Sequence, residues 1–441
     1  MGADKPVRPR ALHMSETRTT STVLLAAGIV ALEFAAAVTG FVASTLLPIV
    51  ATDLDATDRL ALLIAGSTLG LFVALPLSSR VLGRLGTRST LAVGMPAYVG
   101  GLILAATART AWVFAVGQFA NGLAGGLLAV FGISTAIRHL DERLRVRVVA
   151  ASSAMWIAPA LVGPAATLGL EHLVGWRWTL LVPIPFVLFG RLLVVRAVRD
   201  DKPDQAAQRP VARTLLIPLG AAGVVLSTGW WPLAIIGAAV ATVGMVTILP
   251  AGTARLRPGT PAALGAMVLF AVGYFGADSL ITVLLTTGLH VSLGQAAIVL
   301  GAAPLAWGVT SLLTTRFTRP QCFPTIGLGI AALGTAALAT ELAFAGPFAV
   351  VATAWAVGGI GVGLAYPGLY IRATTAGTSG FTAAELATAV ITAECTGQLL
   401  GRAIGGTLSS DGSSGLLASY VLFAIALAAA AAAANRTSAT E

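Results

Sequence analysis

The sequence predicts an all-α integral membrane protein of fourteen spans, with twelve as the alternative, and three observations carry that expectation. Of 441 residues, 56% are hydrophobic and only 10% charged, with a mean hydropathy of +0.88; soluble domains carry roughly 25% charged residues. The apolar residues fall into runs close to the ~20 that a helix needs to cross the hydrocarbon core. The basic residues fall between those runs, mostly at alternate ones, which is how a membrane protein fixes its orientation.

The first six runs are roughly 22–49, 60–80, 89–107, 111–137, 148–170 and 178–197. A shorter pair follows at 213–229 and 232–251, joined by Gly229-Trp230-Trp231-Pro232, where two aromatics at a turn suit the membrane interface. The last six are roughly 260–287, 293–315, 324–341, 346–371, 384–407 and 416–435. All are expected to be helices, because an isolated segment in lipid must satisfy its backbone hydrogen bonds internally. If the chain begins inside, the inner segments collect Arg80, Arg84 and Arg88, then Arg138, Arg143, Arg145 and Arg147, then Arg196, Arg199 and Lys202, while the outer loops hold only Arg59, Arg109 and Arg177. The expected division is a tail over 1–20, a six-helix bundle over 21–198, a linker over 199–212, two additional helices over 213–252, a second six-helix bundle over 253–436 and a tail over 437–441. Both termini are then cytoplasmic. His13-Met14 is compatible with a cloning junction, which would make residues 1–13 foreign and Met14 the natural start. No short apolar run ending at a small-residue cleavage site precedes the first span, so no cleaved signal peptide is expected.

Several function classes find no support. The net charge of +9 is spread between apolar runs and forms no basic stripe with interleaved aromatics, which argues against nucleic-acid binding. Cys322 and Cys395 lie far apart and show neither metal-ligand spacing nor a disulfide framework. The four histidines, His13, His139, His172 and His290, lie in tails or loops, and no Walker A pattern is present, so no cofactor is expected. A membrane transferase acting on a lipid-linked substrate would need an acidic or histidine constellation at a membrane face. The short Asp141-Glu142 turn between Arg138 and Arg147 is a weak candidate for one. With arginine far outnumbering lysine and a bias to Ala, Gly, Val and Leu, the composition resembles that of a high-GC bacterium.

The two six-span halves share local features. Span two ends in Arg80-Val81-Leu82-Gly83-Arg84-Leu85-Gly86-Thr87-Arg88 and span ten in Arg316-Phe317-Thr318-Arg319. Span five carries Pro159 and Gly163-Pro164, and span thirteen carries Gly397, Gly401 and Gly405 at the four-residue spacing that lets helices approach closely. Six plus six with an inserted pair is a duplicated transporter plan. At these residues the chain resembles the major facilitator superfamily, and within it the fourteen-span drug:proton antiporter branch, of bacterial and specifically actinobacterial type. Four matches carry the likeness: Leu46-Leu47-Pro48-Ile49-Val50-Ala51-Thr52-Asp53-Leu54 closing span one; Arg84-x-Gly86-x-Arg88 in the loop after span two; Gly163-Pro164 with Pro159 in span five; and Gly175-Trp176-Arg177-Trp178 before span six. Gly83 stands where the family's loop motif has an aspartate, and Gln118 where span four often has an arginine linked to proton coupling.

The resemblance implies two pseudo-symmetric bundles, a multi-pass location in the bacterial inner membrane, alternating access, and export of a small organic or lipid-like substrate in exchange for protons by a monomer. Transport of a lipid or metabolite without protons is the alternative, and no enzymatic activity is expected. Ionisable groups at the bilayer centre are costly and so face a cavity or a partner. That makes Glu33, Asp278 and Glu394 the proton-coupling candidates. Tyr274, Asp278, Thr282 and Thr286 form one polar stripe, and Glu394, Gln398 and Arg402 another, with Gln398 placed to bridge the two charges. Substrate-cavity candidates are Phe34, Phe41, Gln118, Asn121, Trp156, Tyr274, Thr282, Trp307, Trp355, Tyr366, Gln398 and Arg402. Asp53, Asp55 and Asp58 read as a solvated acidic outer loop.

Overall fold

In the computed structural model, residues 10–56, 59–197, 215–227, 230–290, 293–316, 320–344, 347–375, 381–409 and 412–437 are described. The linker 199–212, Asp58, Gly229, Thr318 and Arg319 lie outside them, as do the side chains of Arg88, Pro164 and Thr286. Every regular element among the described residues is helical. The first half comprises α1 (Arg10–Asp53), α2 (Leu60–Ala106), α3 (Ala111–His139), α4 (Glu142–Ala154), α5 (Ile157–Val174), α6 (Trp176–Thr179) and α7 (Pro183–Ala197). A pair follows, α8 (Leu216–Val225) and α9 (Trp231–Ile248). The second half is α10 (Thr260–Val283), α11 (Leu293–Thr314), α12 (Phe323–Phe344), α13 (Phe348–Ala373), α14 (Ala383–Leu408) and α15 (Gly412–Asn435).

Local chemistry explains the breaks. Within α2 the chain turns at Gly86, whose φ of 73° and ψ of 177° leave the helical region. A glycine is needed there, since positive φ is costly for side chains with a Cβ, and it stands at the centre of Arg84-x-Gly86-x-Arg88. Span five is broken between α4 and α5 at Met155 and Trp156. Pro159 has no N–H to return to the Met155 carbonyl, which accounts for the break. Asp141 caps α4, its Oδ1 accepting from Leu144 N at 2.7 Å, so the Asp141-Glu142 turn has a helix-starting role. Thr382 and Glu385 form a capping box at the start of α14.

Among the described residues, ten helices are long and apolar enough to cross a membrane, eleven if the bent pair Leu62–Ser78 and Arg80–Gly86 is one span. Helices overlap all fourteen expected segments, but length and composition alone do not reach that count. The expected span 213–229 is corrected to α8, ten residues long among those described. At about 1.5 Å per residue it rises only about 15 Å, half of a ~30 Å core.

Two buried clusters divide the molecule. One is built from α1 to α7, around Leu46, Leu102, Phe131 and Val194. The other is built mainly from α10 to α15, around Phe270, Trp355, Tyr420 and Phe423, and takes in Ile217 and Ala241 of the inserted pair. The pair closes on itself through Gly220, Gly223, Gly237 and Gly244 and lies against α2 and α14. In the glycine seam of span thirteen, Gly401 meets the Val272 carbonyl and Gly276, and Gly397 and Gly405 meet Val268 and Leu280 on α10. Between the halves, α4 and α5 pack on α11, α4 also on α13, and α14 on α3.

At the end of α1, the Asp53 side chain is not free in solvent. Its Oδ2 pairs with Arg177 Nη2 at 2.9 Å and accepts from Trp176 Nε1 at 3.1 Å. Arg177 also donates to the Ala108 carbonyl at 3.2 Å and covers the Trp176 ring at 4.3 Å. Two sequence motifs, the ending of span one and the Gly-Trp-Arg-Trp entry to span six, thus meet as a brace across three loops. Both partners are 43% exposed, so the coupling is modest. A double-mutant cycle of Asp53→Asn and Arg177→Gln, read by thermal unfolding, is expected to give about 0.5–1 kcal/mol.

Candidate functional site

The site is assembled where the two halves meet. Glu33 comes from α1, Glu394 from α14, Tyr366 and Tyr370 from α13, and Arg145 from α4. The Tyr366 hydroxyl donates to Glu394 Oε2 at 3.1 Å. Glu33 is an electrostatic neighbour of Glu394, Tyr366 and Tyr370, and Arg145 of Tyr370. Glu394 thus contacts Tyr366 directly, while Glu33 and Arg145 act on the group through space. Arg145 keeps its buried Nε without a hydrogen-bond partner.

Aromatic rings back this group. Trp307 lies 5.3 Å from Tyr366 and 5.6 Å from Tyr274, and Tyr274 stacks on Trp355 at 5.4 Å with a 9° interplanar angle. Offset or edge contacts at these distances are favourable beyond their buried area. The cluster gathers four of the predicted aromatics, but Tyr274 at 2% and Trp355 at 0% exposure are packed core rather than open wall. Trp307 and Tyr366 keep part of their surface accessible. The Nε1 atoms of Trp307 and Trp355 are buried with no hydrogen-bond partner.

Other predicted residues fall elsewhere. Gln118 and Asn121 are 3% and 5% exposed. They lie where Gly66 meets Ala115 and Gln118, and where Gly101 meets Gly117 and Asn121, leaving no room for a cavity wall. Asn121 donates to the Tyr98 carbonyl at 3.3 Å, and the Tyr98 and Thr39 hydroxyls are hydrogen-bonded. Phe34 points away from the Glu33 group, because successive helix residues project about 100° apart. It packs edge-on to Phe186 at 5.3 Å and lines a groove of about 550 Å³ between α1, α4 and α7. Phe41 sits with Trp156 at 6.3 Å, and a Cβ placed on Gly163 would lie 3.4 Å from the Phe41 Cβ, so the span-five motif packs on span one. Trp156 is 43% exposed.

The three predicted carboxylates separate. Asp278 is exposed on α10, with Thr282 one turn on, and its electrostatic partner is Arg402. The bridge expected from Gln398 to Glu394 does not form; Glu394 is held by Tyr366, and Gln398 faces a separate pocket with Arg402. Two members of the site were not anticipated. Arg143, Arg145 and Arg147 read as one charged run, yet at 100° per residue Arg145 projects opposite the other two. It is the one of the three that is not exposed. Tyr370 lies four residues beyond Tyr366, on the same helix face.

The sequence profile of the Major Facilitator Superfamily matches residues 29–406. A protein described as a "probable multidrug-efflux transporter" from Mycobacterium tuberculosis is 28% identical over 233 residues, 53% of this chain and 46% of that protein. The multidrug efflux pump SdrM of Staphylococcus aureus is 18% identical over 174 residues, 40% of this chain and 39% of its own. The matches thus span less than half the length of these relatives. Among solved structures, the human organic anion transporter MFSD10 aligns with a TM-score of 0.68 at 10% identity, over 95% of this chain and 99% of that one. The Escherichia coli fucose:proton symporter FucP aligns with a TM-score of 0.64 at 15% identity over the same shares. At these identities the likeness to solved structures establishes the fold alone.

Proposed function

The chain belongs to the major facilitator superfamily and is a membrane transporter, and on that premise we propose that it exports lipophilic or amphipathic organic compounds in exchange for protons. The observation that carries this reading is the placement of Glu394, which accepts from Tyr366 at 3.1 Å and feels Glu33 of the other half through space. When the two halves rock, α1 and α14 change their separation, and a coupled pair of carboxylates changes its affinity for a proton with that separation. Rocking and protonation are thereby linked, as alternating access driven by a proton gradient requires. The partly accessible Trp307, Tyr366 and Trp156 supply apolar contact surface with few polar anchors, which suits hydrophobic cargo. The efflux relatives point the same way. The expected setting is a bacterial inner membrane with the arginine-rich loops in the cytoplasm, and the transporting unit is the monomer.

The test uses proteoliposomes with a trapped pH-sensitive dye and a panel of lipophilic dyes as cargo. Coupled exchange is expected to move protons across the membrane when cargo is added, in the direction opposite to the cargo. Cargo counterflow with no proton movement would instead establish transport without coupling, the reading that Gln118 in place of an arginine favours.

A further inference from the structure

Beside the bundle interface, and apart from the Glu33 and Glu394 group, lies a second pocket of about 350 Å³. The starts of α2 and α9 and the ends of α8 and α14 enclose it, so the inserted helix pair forms one of its walls. Arg402 and Gln398 of α14 both line it. Arg402 stands six residues before Leu408, the last residue of α14, which is about 9 Å of helix rise inside the helix end. Its side chain is exposed, and among the described residues it makes no hydrogen bond and no close ion pair. Asp278 and Arg402 interact only through space.

With only a through-space partner in Asp278, the Arg402 guanidinium keeps its hydrogen-bonding capacity for a ligand. Its five N–H donors are arranged to bind a carboxylate or phosphate in bidentate fashion. Gln398, one turn earlier, adds an amide with no intramolecular partner among the described residues. The hydroxyls in the pocket are not competing donors: Thr68, Ser227 and Thr407 donate to the carbonyls of Ile64, Val224 and Ile404. The remaining walls are apolar, with Phe72 and Leu399 on one side and Trp231 of α9 on the other. Two donor groups one turn apart on the wall of a largely apolar cleft are complementary to a molecule with an acidic head and an apolar body.

We propose that this pocket binds an acidic amphiphile, a carboxylate or phosphate on an alkyl or aromatic body, with Arg402 and Gln398 holding the head and the inserted pair α8–α9 covering the tail. This site goes beyond the export function proposed above and does not depend on it. Asp278 lies close enough to repel the bound anion, so removing its charge is expected to tighten binding while removing that of Arg402 weakens it.

The test measures binding of dodecyl phosphate to the full-length protein in phosphatidylcholine nanodiscs, with dodecanol as the neutral control. Arg402→Gln is expected to weaken dodecyl phosphate binding by roughly tenfold or more, Arg402→Lys by less, and Asp278→Asn to strengthen it. Arg109→Gln, on the loop between α2 and α3 and outside the pocket lining, is expected to change nothing, and thermal unfolding of each variant checks that it is folded. Equal binding of dodecanol, or unchanged binding in a folded Arg402→Gln variant, would overturn the proposal. Phosphatidylglycerol added to the nanodisc distinguishes the sources: displacement of the probe identifies a lipid headgroup as the natural occupant, and retention of the probe identifies a free organic acid.

Discussion

Replacing Glu394 by glutamine is expected to abolish proton-driven accumulation while leaving cargo counterflow intact. Each unit of pH gradient is worth about 1.4 kcal/mol per proton, so one-for-one exchange of a proton for a neutral cargo sustains roughly a tenfold cargo gradient per pH unit. In Glu394→Gln that ratio is expected to collapse to unity. Glutamine keeps the oxygen that accepts from Tyr366 at 3.1 Å and resembles the protonated acid in shape, so the helix packing around α14 survives. Glu33→Gln is expected to reduce the ratio without eliminating it, because the hydrogen-bonded member of the pair remains titratable. Tyr366→Phe removes the donor but not the charge. It is expected to displace the pH dependence of transport and leave the maximal gradient unchanged. Dye accumulation in proteoliposomes at imposed pH differences reads all three. A Glu394→Gln protein that still builds a pH-driven gradient would exclude that carboxylate as the carrier.

The parts of this arrangement that depend on one-dimensional pattern were legible in the sequence. Apolar runs between arginine clusters located the helices, whereas the break of span five at Met155 and Trp156, one turn before Pro159, was not anticipated. The seam Gly397, Gly401 and Gly405 was readable because four-residue spacing fixes a helix face, although which helix would meet it was not. Pairings across the two halves depend on rotation and depth of each helix, which a hydrophobic run leaves open. Glu33, Asp278 and Glu394 looked alike as single intramembrane acids, yet only two of them are neighbours. Aromatics posed the same difficulty. Tyr274 and Trp355 are interior packing while Trp307 and Tyr366 are partly accessible, and all four occupy similar apolar surroundings in sequence. Arg145 was hidden for a different reason, since a loop-charge argument counts arginines without asking which face of a helix each one takes.

The approach of α3 to the first half of α2 sets the second large expected effect. A Cβ placed on Gly122 would lie 2.0 Å from the Ser67 carbonyl oxygen and 2.7 Å from its carbon, and both are backbone atoms that no rotamer change can move. Gly70 and Gly66 make the reciprocal contact, with a Cβ 2.1 Å from the Phe119 carbonyl and 2.5 Å from that of Ala115. The helices can meet so closely only because glycines alternate across the seam, and close backbone contact is a main source of helix association in lipid. Gly122→Ala must therefore push the helices apart over several turns, a cost of about 1–3 kcal/mol or more. Gly122→Leu is expected to yield no folded protein. Gly125, nearly one turn along the same helix, gives the control: a Cβ there meets only Tyr98 Cε2 at 3.9 Å, an ordinary contact. Gly125→Ala is expected to be neutral or slightly stabilising, since alanine favours the helix by about 1 kcal/mol over glycine. Thermal unfolding of the two alanine variants in detergent separates the interpretations. Equal stability would mean that α2 and α3 are not held at this distance. A destabilised Gly122→Ala beside an unaffected Gly125→Ala would place the constraint on the seam that also buries Gln118 and Asn121, and would explain why those two polar residues, well placed in sequence to line a cavity, are enclosed by neighbouring helices.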